Sequence, residues 1–139
     1  MLAELGSLPW AYPALEVVHI TGIAMLVGNL VLLELRVFGR GPTLPVHDLA
    51  RLSLGLASLG FGLAAASGLL MFATQALELL TNRAFTLKML LLLAAGCNAA
   101  LFHARGSLHK LDRTARLSML LSTGLWLAVI TCGRWIAYV

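Results

Sequence analysis

The chain has 139 residues, 60% of them hydrophobic and 12% charged, with a mean hydropathy of +0.90 and a formal charge of +4. So little charge excludes an ordinary water-soluble domain of this size, and the length leaves room for one domain only. The basic residues sit at the ends of apolar runs and in two loops, so no basic face remains to track the phosphates of a nucleic acid.

The chain opens Met1-Leu2-Ala3-Glu4-Leu5, without the basic stretch of a cleaved signal peptide, so the first apolar run is read as a retained span. Trp10 and Tyr12 precede Pro13, a residue favoured in a first helical turn, and the aromatics mark a membrane–water interface. A first span over about 14–37 follows, long enough to cross a bilayer. Phe38-Gly39-Arg40-Gly41-Pro42-Thr43-Leu44-Pro45 stops it with two glycines and two prolines. The apolar pattern predicts a second span over about 49–75, a third over about 85–103 and a fourth over about 117–136. Glu78, Asn82 and Arg83 lie in the second connection, and Arg105, Lys110, Arg113 and Arg116 crowd the third. The fold class is an all-α, integral membrane four-helix bundle, antiparallel up and down, with the lipid bilayer as its solvent.

Arg36, Arg40, Arg51, Arg105, Lys110, Arg113 and Arg116 flank the first and third connections, against Arg83, Lys88 and Arg134 on the other side. Seven against three puts those two connections in the cytoplasm and both termini on the non-cytoplasmic side.

Helices in lipid associate through small residues and a few interhelical hydrogen bonds. On the second span Ser53, Ala57, Gly60, Ala64, Ser67 and Met71 recur every three or four positions, and Gly55, Gly62 and Gly68 thin it further. The fourth span offers Ser118, Ser122, Leu125, Val129 and Cys132 on one face. Such faces suit tight packing, and they equally suit clearance for a flat cofactor.

Ionisable groups within a span are costly and so are candidates for function. On the first span Glu16, His19, Gly22, Leu26, Asn29 and Leu33 form one stripe. His19 is open to three readings: a core histidine bonded to Glu16 or Asn29, a ligand of haem or another cofactor, or a proton relay. Lys88 sits at a similar depth on the third span, where it either snorkels to the interface, pairs with Glu16 or binds a carboxylate such as a haem propionate. Arg83 and Arg134 lie on the same side and share that candidacy. His103 lies roughly 20 Å deeper than His19 by helix rise, so the two cannot ligate one iron. Met71 matches His19 in depth and is a candidate second axial ligand. Glu34 and Arg36 read as interface anchors or a local ion pair, and His47, His103 and His109 as surface residues. Cys97 and Cys132 fall in apolar stretches and read as small hydrophobes rather than a disulfide or metal site.

Three stretches carry a resemblance: Glu16-Val17-Val18-His19-Ile20, then Leu35-Arg36-Val37-Phe38, then Thr86-Leu87-Lys88. With them the chain resembles the superfamily of small four-helix bacterial membrane proteins that includes HemJ-type protoporphyrinogen oxidases and the CopD-type copper-resistance domain. The family's early histidine, helix-ending arginine and third-helix lysine correspond to His19, Arg36 and Lys88. The resemblance implies haem b binding, with His19 as ligand, and a multi-pass place in the bacterial inner membrane. The family's tryptophan two turns after the histidine is replaced by Leu26 or its neighbours. Its Tyr-His pair in the third helix gives way to Gly96-Cys97-Asn98. Haem binding is therefore implied more directly than porphyrinogen oxidation.

The expected function is a haem b protein in electron transfer or porphyrin-related redox chemistry, with a membrane redox partner or a second copy of itself as partner. The alternative is a non-catalytic scaffold or complex subunit whose His19, Glu16 and Lys88 form a buried polar network. Copper or solute permeation is a weaker fit, since Met25, Met71 and Met89 are scattered rather than clustered.

Overall fold

The computed structural model describes residues 7–138, so the opening stretch with Glu4 lies outside the described residues. All its regular elements among those residues are helical: α1 Ala11–Val37, α2 Val46–Thr74, the short α3 Ala76–Leu80, α4 Arg83–Ala104, the one-turn α5 Ser107–Lys110 and α6 Arg113–Trp135, closed by a 3-10 turn over Ile136–Tyr138. Of these, α1, α2, α4 and α6 are long and apolar enough to cross a membrane, at 27, 29, 22 and 23 residues. A rise of about 1.5 Å per residue makes even the shortest about 33 Å long, against a hydrocarbon core of about 30 Å. Their outer surfaces are leucine-rich, with Leu52, Leu69, Leu90 and Leu93 each at least 60% exposed. A continuous apolar coat of this kind is a liability in water and ordinary in lipid.

Local chemistry sets the helix ends. Arg40 N–H donates to Leu35 O (2.9 Å) and Gly39 N–H to Arg36 O (3.0 Å), which closes α1 in a Schellman arrangement. Gly39 takes φ +95°, a conformation open to glycine at little cost. Pro45 precedes α2, which starts at Val46, three residues before the predicted boundary, with Asp48 in the first turn where the helix dipole favours it. Asn82 caps α4 by accepting from Ala84 N (2.9 Å) and Phe85 N (3.3 Å). Asp112 caps α6 by accepting from Ala115 N (2.9 Å) and also pairs with Arg105 (3.2 Å). The Ala115 N–H, reinforced by Arg105 and Lys110, holds the Asp112 carboxyl below the usual carboxylate range despite opposing desolvation. Its contribution to α6 is therefore complete above that usual range and fades as pH falls through the lowered value.

The helices pack as two pairs, α1 with α2 and α4 with α6, joined mainly where α1 meets α6. The predicted small-residue face of α2 is the face it buries: Ser53, Ala57, Gly60, Ala64 and Ser67 are all buried, with Ala50 and Val46 extending the row. Met71, next in that series, is half-buried. Opposite it, α1 buries Gly22, Leu26 and Leu33. At the crossing the backbones touch. A Cβ on Gly22 would lie 2.6 Å from Gly60 O and 2.7 Å from Ala64 N, and one on Gly60 would lie 2.6 Å from Gly22 O. Gly55 and Gly62, by contrast, face open space. At the other end of the crossing, Leu33, Val37, Ala50, Phe102, Ala115 and Met119 form the core cluster, which gathers one end of all four long helices.

Aromatic rings bridge α2 to the second pair. Phe72 stacks on Phe85 at 5.4 Å between centroids, and Phe61 meets Trp126 edge-on at 6.2 Å. Both cysteines are free thiols.

Gly22→Val and Gly60→Val should each destabilise the detergent-solubilised protein by about 1–3 kcal/mol, because backbone rather than a flexible side chain blocks the added atoms. Gly62→Ala should be neutral or gain up to about 1 kcal/mol. Thermal unfolding followed by intrinsic fluorescence checks both, and an equal loss at Gly62 and Gly60 would contradict the crossing.

Candidate functional site

His19 stands two turns into α1 and turns its ring across the interface to α2. Nδ1 lies 2.8 Å from Ala64 O and 3.1 Å from Ser67 Oγ. A carbonyl only accepts, so Nδ1 carries the proton of the neutral ring, and Nε2 is left with a lone pair. Ser67 donates its own proton to Leu63 O at 2.7 Å, so its hydroxyl oxygen is also able to accept from Nδ1. Gly68 lies beneath the ring: a Cβ there would sit 3.3 Å from His19 Cε1. The Gly68 clearance in α2 is thus occupied by the imidazole itself.

This partner set differs from the expected one. Glu16 is exposed, and Asn29 donates to Met25 O (2.7 Å) within its own helix, so neither is bonded to His19. Sequence spacing finds side chains that share a helix face. It cannot find a backbone carbonyl across an interface, and Ala64 O is exposed to a partner because Ala64 and Gly60 let the helices approach.

Lys88 is half-buried between α4 and α6, with Nζ 3.6 Å from where a Cβ on Gly133 would be. No ion pair joins Lys88 to Glu16, which is exposed. Arg83 is exposed at the start of α4. Arg134 is exposed too, donates to Tyr138 Oη at 2.9 Å and lies over that ring. Both belong to the same end of the long helices as Lys88, since Asn82 Nδ2 donates to Ile136 O (3.0 Å) there. Met71 is half-buried one turn beyond Gly68. His103 belongs to the opposite end, edge-on to the core residue Phe102, and is exposed, as is His47. The His109 side chain lies outside the described residues.

Glu34 is the polar group that spacing undervalued. It is only 9% exposed, and its carboxylate accepts a short hydrogen bond from Thr123 Oγ1, tying α1 to α6. The local ion pair with Arg36 does not form, because residues two apart point to different sides of a helix. Arg36 instead donates to Leu44 O at 2.7 Å in the following loop. The available signal was the four-residue step Leu26, Leu30, Glu34, which carries the buried face on to the carboxylate. On the other pair, Asn98 donates to Ser118 O and accepts from Ser118 Oγ, both at 2.9 Å.

Among the described residues no three of His, Cys, Asp and Glu converge on one point, as a metal held by side chains alone would need. A porphyrin brings four nitrogens of its own and asks for one axial side chain. His19 has the features of such a ligand, since its second ring nitrogen is already satisfied by a carbonyl and its orientation is fixed. The Gly22–Gly60 contact closes the α1–α2 interface, so a group bound at Nε2 would have to lie outside that interface. No protein family's sequence profile matches the chain, and neither a curated protein nor a solved structure matches it.

Glu34→Ala should cost about 1–3 kcal/mol by removing a buried interhelical bond and leaving the Thr123 hydroxyl unsatisfied. Thr123→Val should cost at least as much, because it leaves the buried carboxylate without its donor, and the double variant less than the sum of the two. Strictly additive losses in detergent unfolding would show that the two side chains do not interact.

Proposed function

We propose that the chain is a four-span protein of the bacterial inner membrane that binds haem b, with His19 Nε2 as axial ligand. Its role is electron transfer or porphyrin-related redox chemistry. The observation that carries this reading is the 2.8 Å bond from His19 Nδ1 to Ala64 O, which fixes the tautomer and aims an unprotonated Nε2 away from α2. Lys88 would bind a propionate, with Arg83 and Arg134 at the same end of the helices for the second. Haem, when bound, supplies one-electron chemistry; the protein's own work is to hold the imidazole still, to keep its Nδ1 proton in place and to exclude water with apolar helices. The helices run up and down with both termini on the non-cytoplasmic side, a topology supported by the seven-to-three division of basic residues.

A second reading, a non-catalytic scaffold or complex subunit, is favoured by the same bond seen as an interhelical tie beside the Gly22–Gly60 contact. An absorption spectrum of the purified protein, oxidised and dithionite-reduced, separates the two. The haem reading predicts a Soret band and a reduced α-band that fall to background in His19→Ala. A colourless, well-folded wild type after growth with haem precursor, or unchanged haem content in His19→Ala, would overturn it and favour the scaffold.

A further inference from the structure

Between the end of α4 and the start of α6 lies an open groove of about 300 Å³. Its walls are Leu101, Phe102, Leu117 and Leu121, almost wholly apolar, and its mouth is formed by Arg105 and Thr114. Leu101, Leu117 and Leu121 are all more than half exposed, so the groove opens outward, where the surrounding medium is lipid. From Arg105 it runs seven residues along α4 to Asn98, about 10 Å toward the middle of the membrane. At that deep end the Asn98 and Ser118 side chains bond to each other, so the floor presents no polar group in need of a partner.

The loop that joins α4 to α6 beside the mouth is basic. Across residues 105–116 the chain carries Arg105, Lys110, Arg113 and Arg116 against one acid, Asp112. Asp112 holds Arg105 at the groove through its 3.2 Å contact. Arg113 opens α6, where the helix dipole already favours an anion and disfavours a bare cation. A basic loop beside an apolar slot that reaches about 10 Å into the membrane, enough for the upper part of an acyl chain, is complementary to one class of molecule, a lipid with a negatively charged headgroup.

We propose that this groove binds an anionic phospholipid, with an acyl chain between α4 and α6 and the phosphate at Arg105 and Thr114. The site lies at the opposite end of the helices from His19 and does not depend on what His19 ligates.

Native mass spectrometry of the detergent-solubilised protein, with equimolar dioleoyl phosphatidylglycerol and dioleoyl phosphatidylcholine, tests it. The wild type should retain the phosphatidylglycerol about fivefold more than the phosphatidylcholine. Arg105→Gln should abolish most of that preference. Leu117→Trp, which fills the groove without altering charge, should lower retention of both lipids. Arg40→Gln, a cation in the other loop, should leave the preference intact. Equal retention of the two lipids by the wild type would overturn the proposal. So would an equal effect of Arg40→Gln and Arg105→Gln, which would mean diffuse surface charge. Full retention in Leu117→Trp, or a lipid-free dimer covering the groove, would overturn it as well.

Discussion

Where α1 crosses α2, Gly22 and Gly60 bring two helix backbones so close that a methyl group on either would lie 2.6 Å from the other's carbonyl oxygen. Lipid offers no hydrophobic drive for helices to associate, so close packing and hydrogen bonds must do that work. Side chains on either side of this crossing inherit their positions from it. One turn toward the α1 start, His19 reaches Ala64 O and rests on Gly68. Toward the α1 end, Leu33 and Val37 meet Ala50 in the core cluster. A wider crossing would take the Ala64 carbonyl out of reach of Nδ1, and the imidazole would lose its fixed tautomer.

The polar ties are few and spread over the helix pairs. His19 joins α1 to α2, Glu34 joins α1 to α6, and the Asn98–Ser118 pair joins α4 to α6. Between α2 and the second pair the visible bridges are rings, Phe72 with Phe85 and Phe61 with Trp126. A buried hydrogen bond in lipid has little water to compete with it, whereas ring contacts yield more easily. The α2 side of the boundary between the two pairs is therefore bridged by rings, whereas Glu34 with Thr123 ties its α1 side through a buried hydrogen bond.

Much of the fold was legible because a membrane simplifies the code. Four apolar runs of spanning length gave four long helices, and the three- and four-residue recurrence of Ser53, Ala57, Gly60, Ala64 and Ser67 marked the buried face of α2. Small residues alone did not mark every contact, since Gly55 and Gly62 lie off that face and meet nothing. The short helices α3 and α5 were not legible, because five and four residues are too few to carry a periodic pattern. At the candidate site His19 and Lys88 stood out as costly ionisable groups in an apolar setting. Their partners did not, because Ala64 O is a backbone atom and Glu34 needed the α1–α6 packing to bury it. Clearance for an imidazole and clearance for a porphyrin also read alike in a row of glycines; only the ring lying on Gly68 distinguishes them there.

His19 presents an unprotonated Nε2 because Nδ1 donates to Ala64 O. Nitrogen NMR of the protein labelled with ¹⁵N-histidine in lipid, with His19→Gln to assign the resonance, measures this directly. The account predicts a neutral His19 with a protonated Nδ1 and a bare or ligated Nε2. A His19 resonance with the proton on Nε2 and a free Nδ1 would contradict it, and would leave the imidazole unable to serve as the axial ligand in this geometry.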